Sequence, residues 1–85
     1  MKILIADDDK DIQEIITYNL NKENYNVVSA DNGLEAIEIV KKNKLDLILL
    51  DVMMPQLDGI EACQEIRELG KDDTIIVMLS ARDEN

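Results

Sequence analysis

The sequence contains no histidine and only one cysteine, Cys63. A single cysteine cannot form a disulfide within the chain, and without histidine the chain lacks ligands that zinc sites commonly use. No histidine is present to activate the Cys63 thiol as a nucleophile either. Helical spacing places Cys63 on the same face as Ile60 and Ile66. We therefore expect a small, buried apolar residue in a protein of a reducing compartment.

The chain also lacks long apolar runs and strong basic clusters. No apolar segment approaches the ~20 residues that a membrane-spanning helix needs, and the apolar run after Lys2 stops at Asp7, too early for a secretory signal. The net charge is −10, and the main basic stretch is short, at residues 41–44, so binding to a phosphate backbone is not expected. These features predict a cytoplasmic protein that contacts neither membrane nor nucleic acid through this segment.

The pattern of apolar residues predicts the fold class. The 85 residues are 46% hydrophobic and 33% charged, as in one small globular domain. Short apolar runs alternate with longer amphipathic stretches, which favours βαβ units around a parallel sheet. The predicted strands are residues 2–6, 25–30, 45–50 and 74–79, and the predicted helices are residues 10–22, 33–44 and 59–69. The expected fold is α/β, with a doubly wound parallel sheet of about four strands and three helices.

A few residues mark the ends of these elements. Asp9 and Asp58 are suited to cap the first and third helices, because a carboxylate accepts hydrogen bonds from the free N–H groups of a helix start. Gly70 is expected to end the third helix. Pro55, the only proline, follows the third strand and prevents its continuation, because proline cannot donate to a β-ladder.

Two of the predicted strands end in carboxylates. Asp7 and Asp8 follow the first strand, and Asp51 follows the third. Right-handed crossovers can place these two strands side by side with helices on opposite faces, and the three carboxylates then converge where the strand order reverses. Crowded carboxylates raise one another's pKa unless a cation is present, and a set of oxygen ligands favours Mg²⁺ or Mn²⁺. We therefore predict a divalent-cation site at this edge.

Five segments, spread over the chain, together resemble a known family. They are the first strand with its acidic residues (3–9), the start of the second helix (31–36), the third strand with the loop after it (46–55), the turn into the third helix (57–59) and the fourth strand with the residues after it (76–82). Their sequences resemble the receiver domain of bacterial two-component response regulators.

This resemblance implies a flavodoxin-like fold and a phosphoacceptor role in signalling rather than an enzyme. Asp51 would accept a phosphoryl group from a sensor histidine kinase or a phosphotransfer protein. Asp8 and Asp51 would bind Mg²⁺ directly, Asp7 would bind it mostly through water, and the backbone carbonyl of Met53 would be a further ligand. Ser80 would hydrogen-bond the phosphoryl oxygen and switch the conformation of the neighbouring loop.

The resemblance is incomplete at the C-terminal end. Receivers carry a lysine on a fifth strand and a nearby aromatic residue, and the sequence ends before either position. Lys71 precedes the fourth strand, and Tyr18 and Tyr25 lie far upstream, so none of them can serve. We expect residues 1–85 to be a receiver domain that lacks the fifth strand and the last helices. The fourth strand would then be an exposed apolar edge that favours self-association.

Two other functional classes fit the sequence poorly, and a third stays open. A calcium-binding loop that begins at Asp7 is excluded, because its glycine position holds Ile12 and its closing glutamate position holds Tyr18. A phosphatase with an aspartyl nucleophile would usually carry a second aspartate where Met53 stands. The alternative that stays open is a receiver-like interaction module that is not phosphorylated, and Mg²⁺-dependent acylphosphate formation separates the two.

Overall fold

The protein is described by a computed structural model that covers residues 1–71 and 73–79. Strands and helices alternate, as the sequence predicts. In chain order they are β1 (Lys2–Ala6), α1 (Lys10–Lys22), β2 (Asn26–Ala30), α2 (Gly33–Lys42), β3 (Leu47–Asp51), α3 (Gly59–Glu68) and β4 (Ile75–Leu79). All neighbouring strands pair in parallel, in the order β2-β1-β3-β4. The expected α/β doubly wound sheet is confirmed, including the pairing of the first strand with the third.

The main hydrophobic core lies between one face of the sheet and the helices α2 and α3. β1 contributes Leu4 and Ala6 to it, α2 contributes Ala36 and Val40, and α3 contributes Ile66. Each of these side chains is at most 1% exposed. Because helical side chains three or four positions apart share a face, Ala36 and Val40 present one apolar stripe of α2 to the sheet.

The other face of the sheet is covered by α1 over β1 and β2. Ile3 and Ile5 of β1 lie on this face, because side chains alternate along a strand, and they are 1% and 0% exposed. The same alternation, carried through the strand register, puts Ile75 and Val77 of β4 on this face as well. They are 63% and 43% exposed, so this face is much less covered at β4.

Polar caps fix the starts of all three helices. The Asp9 carboxylate accepts hydrogen bonds from the N–H groups of the first turn of α1, and Asn32 does the same for α2. Asp58 forms a capping box with Glu61, in which each side chain accepts a hydrogen bond from the other residue's backbone N–H. The predicted caps Asp9 and Asp58 are therefore confirmed.

Three strands begin later than predicted. β3 begins at Leu47 instead of residue 45, and β2 and β4 each begin one residue later because their first predicted N–H group is used by a turn. The Tyr25 N–H donates to the Leu20 carbonyl at the end of α1, 3.2 Å away, so β2 starts after Tyr25. The Thr74 N–H donates to the Lys71 carbonyl at 3.4 Å, so β4 starts after Thr74. These local hydrogen bonds compete with the β-ladder for the same donors.

The prediction that Cys63 is a buried apolar residue is confirmed only in part. Cys63 is half-buried and packs against the edge of the main core. Ile66, one turn later, is 0% exposed, whereas Ile60, one turn earlier, is 55% exposed. Only the second half of this face of α3 is therefore covered by the core. Within the described residues, no helix combines the length and the apolar character that crossing a membrane requires.

Candidate functional site

Three aspartates meet at the C-terminal edge of the two central strands. Asp7 and Asp8 directly follow β1, and Asp51 is the last residue of β3. Since Ala6 and Leu50 are register partners, the residues that follow them lie at the same level of the sheet. One carboxylate oxygen of each aspartate lies within 4.8 Å of the others. The structure thus brings together the three carboxylates that the sequence predicts to converge.

The three aspartates differ in exposure and in hydrogen bonding. Asp7 and Asp51 are 2% and 1% exposed, whereas Asp8 is exposed. Oδ1 of Asp7 accepts a hydrogen bond of 2.8 Å from the Asp9 N–H, and Oδ1 of Asp51 accepts one of 3.2 Å from the Met53 N–H. Oδ2 of Asp51 is buried, and no residue in the described part of the chain donates a hydrogen bond to it.

This donor set fits a hard divalent cation. A buried carboxylate oxygen without a partner is costly, and a cation is one way to compensate it. All three side chains offer oxygen ligands, which Mg²⁺ and Mn²⁺ prefer. The exposed Asp8 leaves the cluster accessible from solvent.

The cluster also changes the acid–base properties of Asp7. Burial is the main cause that raises its pKa above the ordinary aspartate value. The hydrogen bond from the Asp9 N–H acts in the opposite direction, and the negative charges of Asp51, Asp8 and Asp9 raise the pKa further. A cation bound among these carboxylates would lower the pKa again, because it favours the ionised form.

The loop between β3 and α3 forms one wall of the site. An open groove of about 600 Å³ is lined by Asp8 and by five residues of this loop, Val52, Met53, Met54, Pro55 and Asp58. Met53 is 57% exposed and its N–H group contacts Asp51, whereas Met54 is 8% exposed and anchors the loop in the core. The Met53 carbonyl as a ligand stays a prediction, and the predicted switch residue Ser80 lies outside the described residues.

Two residues at the site were missed by the sequence reasoning. Gly59, at the start of α3, lies directly against Asp51, because a Cβ at Gly59 would be 2.1 Å from the Asp51 carbonyl oxygen. Gln13 of α1 is 6% exposed and contacts the carbonyl of Asp7. The signal for Gln13 was available, since it occupies the same helical stripe as Ile16 and Leu20, where an apolar residue is expected.

Comparison with known proteins identifies the family to which this site belongs. Residues 3–85 match the family model of the response regulator receiver domain. The chain belongs to this family. The predicted fold and family are thereby confirmed, and a receiver domain is a signalling domain rather than an enzyme.

Curated relatives are full-length regulators. The response regulator MprA of Mycobacterium leprae is 45% identical over 83 residues, which cover 98% of this chain and 36% of MprA. The alkaline phosphatase synthesis transcriptional regulatory protein PhoP of Bacillus subtilis is 46% identical over 83 residues, which cover 98% of this chain and 34% of PhoP. The chain therefore spans about a third of the length of these relatives.

Solved structures with the same fold include two complexes of interest. The response regulator TrrA of Thermotoga maritima, in complex with Mg²⁺-BeF, is 36% identical with a TM-score of 0.88, and the match covers 96% of this chain and 70% of TrrA. The Ssk1 receiver domain of Saccharomyces cerevisiae, crystallised with the histidine phosphotransfer protein Ypd1, is 34% identical with a TM-score of 0.91. That match covers 99% of this chain and 66% of the other.

Proposed function

We propose that this receiver domain accepts a phosphoryl group on Asp51 from a phosphohistidine of a sensor histidine kinase or a phosphotransfer protein. The observation that carries the proposal is the state of the Asp51 carboxylate. One of its oxygens, Oδ1, is held by the Met53 N–H, and the other, Oδ2, is buried among acidic groups without a hydrogen-bond donor in the described residues. Oδ2 therefore has no hydrogen bond that would compete with a cation at this site.

The transfer itself is a displacement at phosphorus. An oxygen of the Asp51 carboxylate would form the new O–P bond while the N–P bond of the phosphohistidine breaks, and the electron pair of that bond would return to the imidazole nitrogen. Phosphoryl transfer depends mainly on positioning and on charge neutralisation rather than on a strong nucleophile. The Met53 N–H contributes to positioning, because it fixes the orientation of the Asp51 carboxylate.

The cofactor in this proposal is Mg²⁺, with Mn²⁺ as a substitute. Asp8 and Asp51 would bind it directly, Asp7 mostly through water, and the Met53 carbonyl would complete the protein ligands. When bound, the ion would neutralise the clustered carboxylates and the oxygens of the transferred group. The complex of TrrA with Mg²⁺-BeF supports this part of the proposal, since TrrA is a structural relative.

The partner in this proposal is the histidine kinase or phosphotransfer protein, which would dock beside the acidic site. α1 starts immediately after the acidic loop, which consists of residues 7–9 between β1 and α1. On α1, Ile15 and Tyr18 are 62% and 65% exposed. Three positions apart on a helix, they form one apolar patch. The complexes of Ssk1 with Ypd1 and of histidine kinase ThkA with TrrA support a partner of this class.

The response to phosphorylation belongs to the same proposal. The Ser80 hydroxyl would donate a hydrogen bond to the new phosphoryl group and bias the neighbouring loop between two arrangements. Residues 1–85 would act as the receiver part of a cytoplasmic regulator, whose output is carried by other segments.

Phosphorylation by a small donor tests the proposal directly. The chain is incubated with Mg²⁺ and acetyl phosphate, and its intact mass is then measured. We expect one added phosphoryl group, which is lost in Asp51→Asn and in the presence of EDTA. Asp11→Asn, which removes an exposed aspartate of α1, is the matched control and should still be modified. A folded chain that gains no phosphoryl group would refute the proposal and favour a receiver-like interaction module.

A further inference from the structure

Gln13 is a polar residue in a position where the pattern of α1 calls for an apolar one. It is 6% exposed, and it is the one residue of α1, which is described throughout, that is buried. Burying an amide is costly unless its hydrogen-bonding groups are satisfied. The contacts of Gln13 therefore indicate what the residue does.

The two N–H groups of the Gln13 amide are shared among three acceptors at the ends of β1 and β2. These are the backbone carbonyl of Asp7, the backbone carbonyl of Ala30 at 3.1 Å and Oδ1 of Asp31 at 2.9 Å. All three atoms are acceptors only, so they fix the orientation of the amide, with its NH₂ group toward the strands.

These contacts extend the sheet beyond its last paired residues. The register of β1 with β2 ends at the pair Ala6 and Ala30. Beyond it, the Asp7 N–H donates to the Ala30 carbonyl at 3.1 Å, and the Gln13 side chain donates to the same carbonyl and to that of Asp7. The side chain thus takes the place of a further backbone donor.

The Asp7 carbonyl has a particular role in the geometry of the site. It belongs to the peptide group that joins Asp7 to Asp8, and a peptide group is planar. Fixing this carbonyl therefore fixes the orientation of the whole Asp7–Asp8 peptide plane relative to the ends of β1 and β2, and with it both Cα atoms from which the acidic side chains extend. No other side-chain donor to this carbonyl occurs among the hydrogen bonds of the described residues.

We propose that Gln13 is a positioning residue for the acidic site, because its amide holds the Asp7–Asp8 peptide group in the orientation in which both carboxylates meet Asp51. The inference rests on the proposed function in so far as the site binds a cation. It assigns to α1 a role in building the site.

The test compares two substitutions on the same face of α1. Gln13→Met keeps the length and removes the donor. Thr17→Val changes a half-buried residue one turn later, which lines the same surface groove as Gln13 but makes no hydrogen bond to the acidic loop. Binding of Mn²⁺ is measured by electron paramagnetic resonance of the free ion, under conditions in which circular dichroism shows both variants folded.

We expect Gln13→Met to raise the Kd for Mn²⁺ by about tenfold, the lower end of the effect of residues that orient metal ligands. Thr17→Val should leave the Kd unchanged. A Gln13→Met variant that is less stable but binds Mn²⁺ with the original Kd would overturn the inference, since Gln13 would then have only a structural role.

A second readout does not depend on the cation. The Asp9 N–H donates to Oδ1 of Asp7, so its hydrogen exchange reports the position of Asp7. In cation-free protein, Gln13→Met should accelerate exchange of this N–H roughly fivefold, as expected for weakening one hydrogen bond, and Thr17→Val should not. If the native chain binds no Mn²⁺, the proposed function fails, but this exchange measurement still decides the role of Gln13. Equal exchange in the native chain and Gln13→Met would contradict that role.

Discussion

The buried carboxylates of Asp7 and Asp51 are held by the same kind of hydrogen bond. Each accepts a hydrogen bond at Oδ1 from the backbone N–H two residues later, that of Asp9 or Met53. Such local hydrogen bonds hold the side chains in place but leave most of the negative charge uncompensated. With Asp8 within reach of both, the site concentrates charge that a cation can balance.

The stability of the cation-free protein should therefore depend on pH through Asp7. Burial and the neighbouring carboxylates raise its folded-state pKa. A raised carboxyl pKa gives a contribution to stability that is complete below the unfolded pKa, about 4, and is lost as the pH rises through the folded pKa. In EDTA, we expect Asp7→Asn to be more stable than the native chain at pH 7 and to lose this advantage near pH 4. Urea unfolding followed by circular dichroism measures the free energy of unfolding of both proteins at each pH.

The matched control for this prediction is Glu38→Gln. It removes one negative charge from an exposed position of α2, so it reports the effect of net charge alone. Its stability relative to the native chain should change less between the two pH values than that of Asp7→Asn. If Asp7→Asn showed the same advantage at both, ionisation of Asp7 would not be the cause.

At the scale of elements, α3 begins in direct contact with the end of β3. A Cβ on Gly59 would lie 2.1 Å from the carbonyl oxygen of Asp51 and 2.9 Å from the Cα of Val52. The Gly59 N–H donates to the Val52 carbonyl at 2.9 Å. The absence of a side chain at Gly59 thus allows the helix start to pack against the backbone of the proposed phosphoacceptor.

Gly59→Ala should impair both stability and phosphorylation. Alanine is the better helix former, but its methyl group cannot fit against backbone atoms, so we expect a net loss of about 1–3 kcal/mol in the free energy of unfolding. Because the displaced atoms belong to Asp51, phosphorylation by acetyl phosphate should slow by roughly tenfold or more. Chemical denaturation and the time course of the intact mass measure the two effects.

Gly70→Ala is the control that separates a loss of stability from a change in the geometry of Asp51. Gly70 has a φ of +81°, and among the described residues, its two chain neighbours aside, no atom lies within 4 Å of the position of a Cβ there. Alanine at Gly70 should cost about 1 kcal/mol through backbone strain and leave the rate of phosphorylation of the folded protein unchanged. Should Gly59→Ala also be phosphorylated at the native rate, the contact with Asp51 has no role in the reaction.

The sequence predicts elements well where one local cause dominates. The sequence predicts Asp9 and Asp58 as caps because a helix start needs an acceptor at that position, and both act as caps. The pattern of residues 25–30 predicts a strand that includes Tyr25, but the Tyr25 N–H donates to the Leu20 carbonyl and not to a neighbouring strand. The role of Gly59 depends on the approach of α3 to β3, which is a tertiary contact that no local pattern contains.

At the scale of the whole molecule, the sequence predicts that the first and third strands are neighbours, because connection rules leave few alternatives. Once strands and helices alternate, right-handed crossovers bring the ends of β1 and β3 together, and Asp7 and Asp51 meet there. The connection rules do not say how evenly the helices cover the two faces of the sheet. The sequence predicts an exposed fourth strand, and the structure adds the contrast between the low exposure of Ile3 and the high exposure of Ile75, its partner across β3.

This uneven cover gives a prediction for the isolated 85-residue chain. In the described residues β4 lies at an edge of the sheet, with Ile75 and Val77 63% and 43% exposed. An exposed apolar edge strand favours pairing with another chain. We expect concentration-dependent self-association in sedimentation velocity, which increases with salt because screening weakens the repulsion between chains of net charge −10.

Val77→Lys should reduce this association by placing a charge on the edge strand. The substitution makes the net charge of the chain less negative, so a loss of association cannot come from stronger overall repulsion. Leu34→Lys makes the same change of charge at an apolar residue of α2 that is 52% exposed, and it should associate like the native chain. A native chain that sediments as a monomer at all concentrations and salt levels would exclude β4 as an association surface, whereas equal loss in both variants would show that the association does not depend on β4 in particular.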